Sequence, residues 1–274
     1  MGFFSDVKDN MERRKQTGEY IKLAKQLVQE GNELYNRAYD KISTYAYETE
    51  ALLKEHTHYK QKIADELGEH ILPTIENFKV PDIHIDTGKI SCPEENTGGL
   101  NTFSNVLQSA FVTNPVLLPG VLDMFVSEED YYAARNQKDE AKRYKQQMKY
   151  EREKLYEYRD KMSMLRDNIA LEKRELDTLT GKLRHMTQEI EKINRKDTFT
   201  NDEIIYFKGI KGISNAIIKL LSENFLNDNI EITAEYKNIL KEVGDINASL
   251  PTIPAIKDEK SIQALEVLSR RWNI

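Results

Sequence analysis

The sequence predicts an all-α protein: an elongated antiparallel coiled-coil hairpin of two long helices, with an apolar tip and a small C-terminal helical bundle. Three observations carry this. All seven prolines fall in two clusters, five between Pro73 and Pro119 and two at Pro251 and Pro254, which leaves two long proline-free stretches. Proline costs about 3 kcal/mol inside a helix, so those stretches are where long helices run. Charged residues make up 31% of the chain and mean hydropathy is −0.66, a balance that suits long helices with narrow apolar stripes. Third, no side chain from Asn96 to Leu122 is charged.

The first long helix is assigned to residues 1–70. Its apolar seam alternates three and four spacing through Ile21, Ala24, Val28, Gly31, Tyr35, Ala38, Ile42, Tyr45, Thr49, Leu52, His56, Tyr59 and Ile63. The second is assigned to residues 128–196. Its seam runs Ala134, Ala141, Tyr144, Met148, Leu155, Tyr158, Met162, Leu165, Ile169, Leu176, Leu179, Leu183, Met186, Ile190 and Ile193, with Gln137, Glu151 and Glu172 as polar intruders. A period near 3.5 sustained this far is a coiled-coil signal and implies left-handed supercoiling. Neither helix buries its stripe alone. At roughly 65 residues, or about 100 Å each, their matched lengths favour pairing with each other. A parallel homodimer of each helix is the competing arrangement.

Residues 71–127 form the expected tip. Its proline-rich first part, with VPDIHIDTGKI, suits a short strand or extended loop. The uncharged run follows, broken near Pro115 and Pro119. Its apolar side chains, Leu100, Phe103, Val106, Leu107, Phe111, Val116, Leu117, Leu118, Val121, Leu122 and Phe125, are the candidate site. Each gains about 1.5–3 kcal/mol on burial, so the run needs its own fold, a bilayer or another chain to cover it. Its asparagines, prolines and glycines make it too polar and too broken for a simple membrane span.

Residues 197–274 form the expected C-terminal bundle, packed where the N-terminus and residue 195 would meet. Thr200-Asn201-Asp202-Glu203 reads as a capping box that starts a helix to about Asn227. That helix carries Ile204, Ile205, Phe207, Ile210, Ile213, Ile217, Leu220, Leu221 and Phe225. Core packing is favoured for it over lying on a membrane. Helices near Glu231–Val243 and Lys260–Trp272 complete the bundle.

Candidate chemistry is sparse. His84 between Asp82 and Asp86, with Cys92 nearby, is the one local grouping of metal-ligand types, and ordinary loop residues are the favoured reading. His56 falls on a seam position and reads as a packing histidine. No phosphate-binding glycine loop or nucleophile–base arrangement emerges, so no enzyme activity, metal or cofactor is expected. Residues 135–161 hold ten basic and six acidic side chains interleaved with tyrosines, read as a solvated coiled-coil surface. The net charge of −6 gives nucleic-acid binding little support.

In layout, the long helices with an apolar tongue resemble the α-helical pore-forming toxins. The resemblance implies a non-enzymatic protein that engages a bilayer through its tip and assembles as a homo-oligomer. The alternative is a cytoplasmic coiled-coil scaffold or adaptor whose tip docks a protein partner. No classical signal peptide is read at the N-terminus. The expected setting is the cytosol on synthesis, with later release or membrane association on the first reading.

Overall fold

The computed structural model describes residues 2–80, 127–193, 198–227 and 231–272, with positions 83, 90 and 92, and side chains from Val7 to Arg271. Helix α1 spans Gly2–Glu66, α2 Leu72–Glu76, α3 Glu128–Glu191, α4 Asn201–Ser222, α5 Ala234–Ser249 and α6 Glu259–Trp272. Among the described residues there is no strand beyond an isolated antiparallel bridge of Leu226 with Ile232. The all-α class and the packing of two long helices on each other stand as expected. The chain divides into two compact units, Met1–Glu48 with Asn101–Lys161, and Thr49–Leu100 with Met162–Ile274.

In the first unit α1 and α3 touch along small residues. Ala24 and Val28 pack against Ala141, Tyr144 and Met148, flanked by Leu27 and Tyr35. Gly31 allows the closest approach: a Cβ there would lie 3.4 Å from the Lys145 Cα. Arg13 pairs with Glu128 at 3.5 Å, Tyr144 Oη donates to Asn32 Oδ1 at 2.5 Å, and Lys145 pairs with Glu30. As the residue number rises on α1, its partner's number rises on α3. The helices are parallel.

The second unit keeps that direction. His56 and Lys60 meet Glu172, Tyr59 meets Asp177, and Glu66 meets Arg184. The antiparallel hairpin is therefore corrected to a parallel pair. A heptad seam looks the same from either end, and only these cross-helix pairs carry a direction.

The helix boundaries have local causes. Ser127 and Asp130 cap α3 reciprocally: Ser127 N donates to Asp130 Oδ2 at 3.1 Å, and Asp130 N donates to Ser127 Oγ at 3.1 Å. The acidic first turn Glu128, Glu129 and Asp130 also suits the positive end of the helix dipole. After Glu66, residues Leu67–Ile71 widen into a π turn just before Pro73 at the start of α2. Proline lacks an N–H and its ring crowds the carbonyl four residues back, and the wider turn accommodates both.

The second unit has its core around α4. Tyr206, Phe207, Ile210, Ile213, Ile217, Leu220 and Leu221 have no exposed surface. Gly209 lets α6 in so closely that a Cβ there would fall 2.5 Å from the Leu265 Cδ2. Phe207 takes the rings of Phe78 and Phe199 at 5.3 and 5.5 Å, and Tyr206 Oη donates to the Pro254 carbonyl at 2.8 Å. Core packing is thus the outcome for the isoleucine-rich helix. Thr200 and Glu203 close the expected capping box. Within the second unit, the Phe78–Phe207 contact sets α4 against the segment that follows α2.

Candidate functional site

The eleven apolar residues assigned from the sequence, Leu100, Phe103, Val106, Leu107, Phe111, Val116, Leu117, Leu118, Val121, Leu122 and Phe125, lie outside the described residues, as does His84. The described chain concentrates its polar chemistry elsewhere, in a cluster wholly inside the second unit.

That cluster is built on Glu172, a polar intruder in the α3 seam. Its Oε2 lies 2.9 Å from His56 Nε2 and its Oε1 3.7 Å from Lys60 Nζ, with all three side chains no more than 1% exposed. His56 and Lys60 are one helical turn apart on α1 and share a face, which brings two bases to one acid. The Phe225 ring sits 6.1 Å from the imidazole, and the Tyr236 ring 5.9 Å from the Lys60 Nζ. Phe225 and Tyr236 meet edge to face at 4.6 Å. Burial alone would raise the Glu172 pKa, but His56, Lys60 and Tyr236 outweigh it and hold the carboxyl below its usual range.

A polar band adjoins the cluster. Tyr59 Oη donates to Asp177 Oδ1 at 2.6 Å, and burial together with that carboxylate keeps the phenol protonated far above its usual range. Arg184 grips Glu66 with two nitrogens, the Nη2 contact measuring 2.5 Å. Lys182 Nζ donates to the carbonyls of Asn247 and Leu250 at 2.6 and 3.0 Å, placing a cation on the negative end of α5. Asn247 Nδ2 answers by donating to the Glu175 carbonyl at 2.9 Å and its Oε2 at 2.8 Å. Burial pulls the Lys182 pKa down, with Glu175 opposing.

Histidine, lysine and glutamate in contact are a general acid–base set in kind. Here they have almost no surface, so they touch no outside molecule unless the helices part. Their physical role is to tie α1, α3 and α5 together. Of this set, His56 was legible as a seam histidine and Glu172 as a seam intruder. Lys60 was missed, because the buried line on α1 moves by one residue past Thr49, to Leu53 and Lys60 instead of Leu52 and Tyr59.

Among the described residues no group of three or more histidine, cysteine or carboxylate side chains is placed to hold a metal ion. Nor is any described helix long and apolar enough to cross a membrane. A half-open groove of about 170 Å³ lies between α4 and α5, lined by Gly212, Asn215, Ala216, Lys219, Ile239, Glu242 and Val243. No family model, curated protein or solved structure matches this chain.

Proposed function

We propose that this is a non-enzymatic helical protein that engages a lipid bilayer through the uncharged run that lies in sequence between its two long helices. The observation that carries the reading is the absence of charge from Asn96 to Leu122, in a chain where 31% of residues are charged. The apolar stripe of α3 is already covered: Leu155, Met162, Leu165, Leu176 and Leu183 are all buried. The large apolar residues of the run therefore need a cover of their own, and hydrocarbon supplies about 1.5–3 kcal/mol for each one buried. Vesicle flotation with dye release tests this, comparing the parent with Phe111→Asp and Leu117→Asp. Binding and leakage by the parent, lost in both variants, are expected. No binding by the parent at neutral or mildly acid pH refutes the reading.

A protein-docking role is the second reading. It is favoured by Asn101, Asn105, Gln108 and Asn114, which a protein groove can satisfy and hydrocarbon cannot. It calls for a stable protein complex that is lost on Phe103→Asp while helix content stays unchanged.

A further inference from the structure

The N-terminal part of α1 turns a second, different face outward in the first unit. At about 100° per residue, Lys8, Arg14, Lys15, Lys22 and Lys25 fall within an arc of roughly 120°. All five are exposed. None takes part in an ion pair or hydrogen bond among the described residues, whereas Arg13, outside the arc, is held by Glu128. The carboxylates of this stretch, Asp9, Glu12 and Glu19, lie outside the arc as well. Two apolar side chains share it, Val7 at 42% and Met11 at 69% exposed. The arc points away from the buried positions Thr17, Ala24 and Val28. The result is a straight, carboxylate-free cationic strip about 25 Å long with exposed apolar groups at one end.

We propose that this strip is a docking face for an anionic phospholipid surface. The charge complementarity is local, since the chain as a whole carries −6. A row of lysines and arginine along a straight helix matches an extended anionic plane better than a point ligand. Val7 and Met11 add what a partner of phosphates alone would not reward, apolar contact at the level of the headgroups. Each cation near such a surface strengthens binding by roughly fivefold at low ionic strength. The inference rests on the bilayer reading above only for the class of partner and uses none of its residues.

The test is co-sedimentation at low salt with vesicles of phosphatidylcholine alone and of phosphatidylcholine mixed equally with phosphatidylglycerol. The chains compared are the parent, Lys15→Gln/Lys22→Gln, Met11→Ser and Leu117→Asp, each first checked for unchanged helix content. The parent should prefer the anionic vesicles, and the double variant should bind them roughly 25-fold more weakly. Met11→Ser should bind more weakly than the parent, and Leu117→Asp should keep the anionic preference even where leakage is lost. Equal binding of the parent to both vesicle types, or no change in the double variant, overturns the proposal. So does tighter binding to a duplex oligonucleotide than to anionic vesicles at the same ionic strength. Unchanged leakage by Leu117→Asp, with the anionic preference intact, refutes the reading of the uncharged run and upholds the strip.

Discussion

Replacing Glu172 by glutamine removes the acid that His56 and Lys60 share while leaving shape and volume almost unchanged. The Lys60 Nζ lies 3.7 Å from the carboxylate with 1% of its side chain exposed, so water cannot take over as its partner. At an effective dielectric of about 20, a unit charge at that distance interacts by roughly 4–5 kcal/mol. Stranding one partner of a buried pair is generally worth about 3–5 kcal/mol. Glu172→Gln is therefore expected to lower stability by about 4 kcal/mol and the melting temperature by roughly 10 °C, read by circular dichroism at neutral pH. The triple variant His56→Leu/Lys60→Met/Glu172→Leu strands no charge, only the buried Tyr236 hydroxyl, and should fall within about 2 kcal/mol of the parent. The folded-state pKa of Glu172 is lowered, so the stability it contributes is fully present above the unfolded value of 4.5. That stability is lost as pH falls through the folded value, and the parent should lose it where the triple variant does not. A loss below about 1 kcal/mol for Glu172→Gln would refute the reasoning, because the pair would then behave like an exposed one.

Two glycines should respond in opposite ways to the same substitution. Gly209→Ala drives a methyl into the buried Leu265 side chain and should cost about 1–2 kcal/mol net of the better helix propensity, whereas Gly31→Ala meets ordinary contact distances and should be neutral or stabilising by up to about 1 kcal/mol; urea titration of each variant checks the pair. Thr200→Ala opens the capping box of α4 and should cost about 1 kcal/mol by the same titration, with little further loss when Glu203→Ala is added, because the two side chains act as one device.

Most of the helical architecture was legible because it depends on period and punctuation. Ala134, Ala141, Tyr144, Met148, Leu155, Met162, Leu165, Ile169, Leu176, Leu179, Leu183, Met186 and Ile190 were placed on the α3 seam, and all are buried. Thr200 and Glu203 announced the start of α4 because a capping box is local. Direction was not legible. The matched helix lengths that favoured an antiparallel hairpin are the same in either direction. What decided the matter were single pairs such as Glu30 with Lys145 and Glu66 with Arg184, whose partners lie more than a hundred residues apart. The charge cluster was half legible for a related reason. Glu172 broke the apolar pattern visibly, but lysines are so common here that Lys60 stood out only once its burial was known. The expected site at Leu100–Phe125 lies outside the described residues.

The parallel direction also governs how the chain reaches this fold. In an antiparallel hairpin the contacts nearest the bend are local, and the rest can zip from there. Here the pairings of Lys145 with Glu30 and of Arg184 with Glu66 span 115 and 118 residues, and every rung between the long helices carries a similar separation. Loop closure must precede any gain from contact, which places such a pair among slow-folding topologies. On the ribosome α1 emerges complete long before α3 exists to receive its stripe. At about 5–20 residues per second, that stripe waits for several seconds at the least, open to any other apolar surface it meets.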